Sequence, residues 1–339
     1  MRMTAALAAA LLVALTQSAD AQPAPEKRKV NVATASLGLP YLPLVIAQQR
    51  KYFADEGLEV EIAAFAGGSK ALQSLMGGSS DVASGAYSNT LTMAAKGQKL
   101  KNFVVQVRYP ALAIAVSKRV ADRYKSPADL KGMRIGVSAP GSSTHMIVNH
   151  LLSKGKLTSA DVSIIGVGTS AAAVAAIMQG EIDAIINSDP VMTKLEADNA
   201  VTVIAETRTR KGTEDLFGGP YPEAGLYATA DFIARNPNTI QALTNAIVRA
   251  LLWLPHHSTE EVLQVVPEEY LMGNRAVYAA SFERLRSTYS KDGRIPEKGV
   301  ENAYKVLLAH NSAVRRAPVV WINQTYTNAF VEKALQKYR

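Results

Sequence analysis

The sequence FAGGSKALQSLMGGSSDVASGAY at residues 65–87 recurs in register, 102 residues later, as VGTSAAAVAAIMQGEIDAIINSD at residues 167–189. Each copy predicts the end of a strand at a turn of Gly, Ser or Thr, then a helix with spaced apolar residues, then an acidic turn into a second apolar strand. The clearest identities pair Met76 with Met178, Gly78 with Gly180 and Asp81 with Asp183. Two similar units predict two facing lobes and a cleft that can enclose a small ligand. The alternative is that any doubly wound sheet repeats strand, glycine turn and helix.

The chain around both copies predicts the fold class, which is α/β. Strands alternate with helices of about ten residues, a pattern typical of parallel β-α-β units, so each lobe is predicted to be a mostly parallel sheet flanked by helices. Residues 207–222 are rich in Gly and charge and are predicted to be irregular. The predicted division is 27–110 for lobe I, 111–225 for lobe II, and 226–339 for the completion of lobe I with extra C-terminal helices.

Residues 1–21 predict a signal peptide. Arg2 supplies a positive start, residues 5–15 form an apolar core, and Ala19-Asp20-Ala21 fits the small-x-small cleavage pattern. The apolar run of about 11 residues is short of the roughly 20 that span a bilayer. The chain has no cysteine, so neither a lipid-bearing Cys nor a disulfide is possible. The sequence predicts an exported, periplasmic protein that is not a lipoprotein.

The net charge of +8 raises the question of nucleic acid as a partner. The basic residues form no long run interleaved with aromatics, and export would separate the protein from nucleic acid. We therefore expect no nucleic-acid partner and interpret the charge as a solvated basic surface. We also expect a monomer whose partner inside the cleft is a small molecule.

Enzyme signatures are sparse. The chain has no GxSxG, HExxH or Walker phosphate loop, and its His145 and His150 are five residues apart, which does not place them on one helix face as a metal pair. Residues 166–171 read GVGTSA, a GxGxxA with Asp189 about 20 residues further on, the outline of a dinucleotide fingerprint. That motif lies mid-chain in a repeat copy, and an exported protein seldom meets soluble NAD. We predict no catalytic residue, no metal and no cofactor.

Four strand-to-helix loops carry the stronger signal, at residues 36–41, 67–69, 86–89 and 140–144. Such loops gather at the carboxyl edge of an open α/β sheet, where helix N-termini and small hydroxyls favour an anion. Tyrosines beside the loops are expected to wall the apolar part of a ligand. The predicted ligand-binding residues are Ser36, Leu37, Tyr41, Gly68, Ser69, Tyr87, Ser88, Asn89, Tyr109, Ser142, Ser143, Thr144, Asn187 and Asp189.

Asp189 stands apart in this set because it is acidic. A buried carboxylate facing an anion is unfavourable. The residue therefore indicates either a ligand that carries an amine or a structural cap for the helix that begins at Pro190.

Longer phrases of the chain resemble a known family. They are LPYLPL at 39–44, YFADEGLEV at 52–60, the Gly67-Gly68-Ser69 turn, SGAY at 84–87, DLKGMRIGV at 129–137 and GEIDA at 180–184. Together they resemble the NitT/TauT family of periplasmic substrate-binding proteins, which serve ABC importers of nitrate, sulfonate, taurine and bicarbonate. The resemblance covers nearly the whole chain that follows the signal peptide.

The resemblance implies a two-lobed fold of the periplasmic-binding-protein type II kind, which closes on a sulfonate-, taurine- or nitrate-like anion and delivers it to an inner-membrane permease. It places binding positions at residues 37–41, 68–69, 87–89 and 142–144 and at Asn187. Two alternatives stay open: a small-molecule enzyme on the same fold, of the pyrimidine-precursor kind, and a sensor subunit of a signalling system.

Overall fold

A computed structural model describes residues 23–317 and 321–339, so the predicted signal peptide lies outside the described residues. The described chain contains two five-stranded sheets flanked by helices. In chain order the strands are β1 (Lys29–Thr34), β2 (Glu59–Ala64), β3 (Val82–Ala86), β4 (Leu100–Val105), β5 (Leu112–Ser117), β6 (Arg134–Val137), β7 (Ser163–Gly166), β8 (Ala184–Ser188), β9 (Val201–Glu206) and β10 (Ala224–Thr229).

The two sheets have the same topology. The first has the order β2-β1-β3-β10-β4 and the second β7-β6-β8-β5-β9. In each sheet the fourth strand, β10 or β5, is antiparallel to both neighbours, and the remaining pairs are parallel. The predicted α/β fold class is confirmed, and both sheets are mixed, with four strands that run in one direction and one that runs antiparallel to them. Each antiparallel strand is the one that arrives from the other sheet, so the chain crosses between the sheets twice, after β4 and after β9.

Helices cover both sheets. In chain order they are α1 (Leu42–Gln49), α2 (Tyr52–Asp55), α3 (Gly68–Met76), α4 (Ser88–Ala95), α5 (Ser143–Lys154), α6 (Ala171–Gln179), α7 (Val191–Ala197), α8 (Arg210–Phe217), α9 (Ala230–Arg235), α10 (Pro237–Trp253), α11 (Thr259–Val265), α12 (Arg275–Leu285), α13 (Glu297–His310), α14 (Ser312–Arg316) and α15 (Ala329–Tyr338). The helices α3 and α6 occupy equivalent places in the two sequence repeats.

The repeated aspartate has the same structural role in both sheets. Asp81 precedes β3 and accepts a hydrogen bond from the backbone N–H of Asn31 in β1 (3.0 Å). Asp183 precedes β8 and accepts one from the backbone N–H of Arg134 at the start of β6 (2.9 Å). Each carboxylate therefore helps to fix the register between two adjacent parallel strands, β1 with β3 and β6 with β8. This shared role supports a duplication, and not merely the repeated order of strand, glycine turn and helix that any doubly wound sheet has.

The C-terminal helices do not all pack on the first sheet. The long helix α10 and the final helix α15 belong to the apolar core of the first sheet. In contrast, Val300 and Leu307 of α13 share a core with Leu151 of α5 and Phe217 of α8, beside the second sheet. The C-terminal region thus packs against both halves of the molecule. The exact lobe boundaries stay a prediction.

The prediction that residues 207–222 are irregular was wrong, because α8 forms within them. The hydroxyl of Thr209 accepts a hydrogen bond from the N–H of Gly212 (3.0 Å) and caps the helix start. Arg210 pairs with Glu214 one turn later, and the helix ends at Gly218, which has the left-handed φ of 75° that glycine adopts without strain. Local capping and i,i+4 ion pairs therefore outweigh the poor helix propensity of the glycines.

A histidine cluster lies where α5 meets α13. The ring centroids of His150 and His310 are 6.0 Å apart, and His310 Nε2 is buried without a hydrogen-bond partner. Burial, chiefly, and then the nearby His150, Arg315 and His145 lower the pKa of His310 to about 4. The folded protein therefore holds this imidazole neutral at a pH where an unfolded histidine is already protonated.

We predict that His310 makes the protein less stable in acid. Since its folded pKa lies below the unfolded value of about 6.5, its contribution to stability is complete above pH 6.5 and is lost as the pH falls towards 4. Urea unfolding of the wild type should show a free energy of unfolding that falls more steeply over this window than that of His310→Gln. The exposed His256→Gln should keep the wild-type slope. Equal slopes in all three proteins would contradict the prediction.

Candidate functional site

A narrow crevice lies between the carboxyl ends of the two sheets. Its open volume is about 30 Å³, which holds little more than one or two water molecules. The first sheet and its loops contribute Ala35, Ser36, Pro40, Tyr41 and Gly68. The second sheet and its loops contribute Ser138, Ser143, Thr144, Thr169, Asn187 and Ser188. The remaining wall consists of Pro110 on the crossing into β5, Leu112 at the start of β5, and Glu223 on the crossing into β10.

The repeat explains why hydroxyls meet here. Ser36 follows β1 and Ser138 follows β6, the equivalent strand of the other sheet. Ser36 Oγ accepts a hydrogen bond from the N–H of Gly38 (3.0 Å), and Ser138 Oγ bonds Thr144 Oγ1 (2.8 Å) across the loop that leads into α5. Because the strands of both sheets end at the crevice, small polar side chains from both halves face the same space.

The two halves touch directly at the rim of the crevice. The N–H of Ser69 donates to Ser142 Oγ (2.9 Å), and the N–H of Leu39 donates to the carbonyl of Asp189 (3.1 Å). Gly67 allows this approach: its φ is +137°, and a Cβ built there would lie 2.8 Å from the Cβ of Ala139. The structure therefore shows a closed cleft, and these contacts must separate before a ligand can enter.

Glu223 dominates the electrostatics of the crevice. It immediately precedes β10, is 3% exposed, and its Oε2 has no hydrogen-bond partner among the described residues. Burial raises the pKa of Glu223 to about 7, while a hydrogen bond with Ser143 acts in the opposite direction. A buried carboxyl oxygen without a partner is costly, so the site lacks a donor that would satisfy it.

The crevice offers no positive side chain to balance this carboxyl group. None of the described residues that line it is Lys or Arg. Burial, chiefly, and the charge of Glu223 raise the pKa of Tyr41, which stays protonated and can donate its O–H. The walls therefore combine one acid with neutral hydroxyls and the Asn187 amide. Such a site accepts N–H donors and cations more readily than a bare anion.

A larger cavity of about 390 Å³ adjoins the crevice through Thr169. Apolar side chains dominate its wall, with Leu37 and Phe65 from one half, Val167 from the other, and Tyr270 and Met272 beyond them. The GVGTSA loop at 166–171 thus lines an apolar space beside the crevice. A substituent on an enclosed ligand would have room there.

The family follows from the sequence match. Residues 40–261 match the family model described as NMT1/THI5 like. The chain belongs to this family. Two curated relatives are YtlA of Bacillus subtilis strain 168, 24% identical over 310 residues (90% of this chain and 89% of the relative), and the 4-amino-5-hydroxymethyl-2-methylpyrimidine phosphate synthase of Schizosaccharomyces pombe, 27% identical over 273 residues (78% and 76%).

Solved structures give the fold of this NMT1/THI5-like protein. A protein of Bordetella bronchiseptica RB50 is 48% identical, with a TM-score of 0.89 over 93% of this chain and 99% of the other. The alkanesulfonate-binding protein SsuA of Xanthomonas axonopodis pv. citri, bound to MOPS, is 21% identical (TM-score 0.66; 90% and 99%). The periplasmic nitrate-binding protein NrtA of Synechocystis PCC 6803 is 17% identical (TM-score 0.76; 94% and 90%). The predicted periplasmic-binding-protein fold is confirmed.

Six of the predicted ligand-binding residues of this NMT1/THI5-like protein line the crevice, namely Ser36, Tyr41, Gly68, Ser143, Thr144 and Asn187. Asn187 is already engaged: its Nδ2 donates to the carbonyl of Gly168 (2.9 Å) and its Oδ1 accepts from the N–H of Ser188 (2.9 Å). Asn187 therefore holds the loop at Gly168 in place and also lines the crevice.

The other predicted residues lie around the crevice rather than in its wall. Leu37 lines the adjoining apolar cavity, Ser69 and Ser142 bond each other at the rim, and Tyr109 lines a separate cavity. Tyr87, Ser88 and Asn89 are fully buried; Tyr87 bonds Thr325, and Asn89 Nδ2 donates to the hydroxyl of Tyr227 (3.0 Å). None of the three lines the crevice.

Asp189 is occupied by its own helix and by a buried cation. Its Oδ1 accepts hydrogen bonds from the N–H (2.8 Å) and hydroxyl (2.7 Å) of Thr193 in α7 and lies 3.7 Å from Arg208 Nη1. Burial, the largest effect, raises the pKa of Asp189, and Arg208 opposes it. Its Oδ2 has no hydrogen-bond partner among the described residues. The contacts of Oδ1 support the interpretation as a structural cap, and a role in ligand binding stays a prediction.

Glu223 was missed by the sequence reasoning. It lies next to the segment that was predicted to be irregular, and no repeat copy or loop motif marks it. The sequence feature that could have indicated Glu223 is its position as an isolated acid directly before β10, the strand that returns the chain to the first sheet. Crossings between lobes lie at the floor of a cleft, so such an acid is a candidate for the site.

Two other kinds of feature, a cluster of metal ligands and a membrane-spanning helix, are absent from the described residues. Over 23–317 and 321–339, no three His, Cys, Asp or Glu side chains are grouped as metal ligands would be. In the same ranges, no helix combines the length and the apolar character needed to cross a bilayer.

Proposed function

We propose that this chain is an extracytoplasmic solute-binding protein of an ABC importer, which encloses a small solute in the crevice and delivers it to a permease in the inner membrane. Three observations support this: the family, the periplasmic-binding-protein fold with its crevice at the strand ends, and the predicted signal peptide. Two neighbours of the same fold are named as sulfonate- and nitrate-binding proteins.

The unpartnered, buried carboxyl oxygen of Glu223 carries our proposal for the class of solute. A ligand that presents an ammonium, an amidinium or a ring amine would satisfy it with a charge-assisted hydrogen bond. An inorganic anion such as nitrate would instead place negative charge beside a buried acid, in a crevice whose described walls contain no cation.

The start of helix α5, beside Glu223, offers a place for an anionic group on the same solute. Ser143 and Thr144 open the twelve-residue helix α5, and both line the crevice. The N-terminus of a helix favours negative charge; the Ser143 and Thr144 hydroxyls are engaged by Glu223 and Ser138. A zwitterion of the taurine kind, with an amine towards Glu223 and a sulfonate towards α5, fits this arrangement.

Closure supplies the mechanism of capture. The rim contacts between Ser69 and Ser142 and between Leu39 and Asp189 form only when the halves meet. A solute that bonds both halves favours that closed state because it makes fewer contacts in the open one. Small-angle scattering should therefore show a smaller radius of gyration on saturation, and an unchanged radius would count against capture by closure.

A thermal-shift screen with matched pairs tests the class of solute. The pairs are taurine with propane-1-sulfonate, benzamidine with benzoate, and 4-aminopyrimidine with pyrimidine. In at least one pair the N–H-bearing member, at 100 times its Kd, should add about 2.7 kcal/mol of stability and raise the Tm by about 5 °C, and its partner should not. Stabilisation by N–H-free anions alone would overturn the class.

Recovery of the solute separates binding from catalysis, the alternative that the Schizosaccharomyces pombe synthase raises. Mass spectrometry of the stabilising compound after prolonged incubation should return it unchanged and in full. A new product formed in proportion to protein and time would replace the transport proposal with an enzymatic one.

A further inference from the structure

A second large cavity lies beside the two crossings between the sheets. Its volume is about 530 Å³. Arg108 and Tyr109 line it from the crossing that joins β4 to β5, and Arg210 and Pro220 line it from the crossing that joins β9 to β10. The segment 290–296, whose Gly293 carbonyl accepts a hydrogen bond from the N–H of Val105, closes the third side. The cavity therefore belongs to both halves of the molecule.

Its wall is basic. The charged residues that line it are Arg108, Arg210, Lys291 and Arg294 against Glu214 and Asp292. Two of the cations are neutralised in place, because Arg210 pairs with Glu214 (2.7 Å) and Arg294 with Asp292 (2.7 Å) and with Glu332. Two positive charges are left over, those of Arg108 and Lys291.

Neither of these two side chains forms an ion pair with a described residue. Arg108 Nη2 donates to the carbonyl of Ser287 (2.6 Å), but its Nε is buried without a hydrogen-bond partner. Lys291 is exposed at the cavity and forms no ion pair with any described residue. The unpaired charges of Arg108 and Lys291 in one cavity wall favour an anion there.

We propose that this cavity binds a small organic polyanion, a di- or tricarboxylate or a phosphate ester, with Arg108 and Lys291 as its charged contacts. The apolar side chains of Tyr109, Ile295 and Pro296 in the same wall accommodate the carbon skeleton. The site is distinct from the crevice, since no lining residue is shared by the two.

The position of the cavity couples it to the crevice. Pro110 lines the crevice, whereas its neighbours Arg108 and Tyr109 line the cavity; Glu223 lines the crevice, whereas Pro220, three residues earlier, lines the cavity. Any rearrangement of the crossings during closure changes both sites. A polyanion bound here should therefore alter the affinity of the crevice for its solute, a coupling that rests on the proposed function.

Calorimetric titration of the full mature chain with citrate, at constant ionic strength, tests the site. Lys291→Gln should raise the Kd of citrate about tenfold, the loss expected for one charge-assisted contact. Lys305→Gln removes the same charge from an exposed position of α13 and should leave the Kd unchanged. Arg108→Gln removes the other unpaired charge of the wall and should also weaken binding.

Two results would overturn the site: no heat of binding with citrate, or equal effects of Lys291→Gln and Lys305→Gln on the Kd of citrate. Failure of the matched-pair screen would leave the citrate result standing. Conversely, a positive matched-pair screen together with no heat of citrate binding would contradict only the proposed polyanion site in this cavity. The experiments therefore test the proposed solute class of the crevice and the proposed polyanion site independently.

Discussion

Replacing Arg208 with Met is expected to lower the free energy of unfolding by about 3–5 kcal/mol, the usual cost of removing one partner from a buried ion pair. The Arg208 side chain is 3% exposed and bonds Glu196 (2.7 Å) and Glu206 (2.8 Å), with Asp189 at 3.7 Å. Arg284 of α12 also pairs with Glu196. Without Arg208, the fully buried Asp189 has no cation within ion-pair distance among the described residues.

The loss should reach the candidate site as well. The carbonyl of Asp189 holds the N–H of Leu39 across the rim, so disorder around Asp189 loosens the closed cleft. Urea unfolding monitored by circular dichroism measures the change. Arg210→Met is the matched control, since Arg210 is mostly exposed and its pair with Glu214 contributes at most about 1 kcal/mol.

A second substitution makes this prediction specific to charge. In the Arg208→Met background, Asp189→Asn removes the uncompensated acid while retaining an oxygen that accepts from Thr193. It should recover part of the lost stability. If Arg208→Met and Arg210→Met prove equally mild, the cluster does not stabilise the fold in the way the geometry indicates.

Replacing Glu223 with Gln is expected to have opposite effects on binding and on stability. For the N–H-bearing solute found in the matched-pair screen, the binding free energy should weaken by about 2–5 kcal/mol, as expected when one partner of a buried charge pair is removed. The free protein should instead become more stable above neutral pH, because the variant no longer buries an ionised carboxylate.

The sign of the stability effect follows from the raised pKa of Glu223. Its folded value of about 7 exceeds the reference value of 4.5, so its favourable contribution is complete below pH 4.5 and is lost as the pH rises through 7. At pH 8 the ligand-free variant should therefore exceed the wild type in free energy of unfolding, on the order of 2 kcal/mol. Glu301→Gln, exposed on α13, should change neither quantity. Unaltered binding together with unaltered stability would remove Glu223 from the site.

The sequence predicted much of the fold because the fold depends on local patterns. The repeat at 65–87 and 167–189 correctly placed α3 with β3 and α6 with β8, and the equivalent aspartates act alike in both sheets. It failed at residues 207–222, where the cap by Thr209 and the Arg210–Glu214 pair form α8 despite a glycine-rich composition. Such short-range side-chain contacts are invisible to hydrophobic periodicity.

For the site, the sequence by itself determined which loops meet. Strand-to-helix turns of small residues collect at one edge of any α/β sheet, so Ser36, Gly68 and Ser143 were placed together without knowledge of the packing. Only the tertiary structure decided their electrostatics. It buries Glu223 against Ser143, 80 residues away, and directs Asp189 towards Arg208. The charge that a ligand meets depends on burial and on contacts between distant segments, and neither is encoded in local spacing.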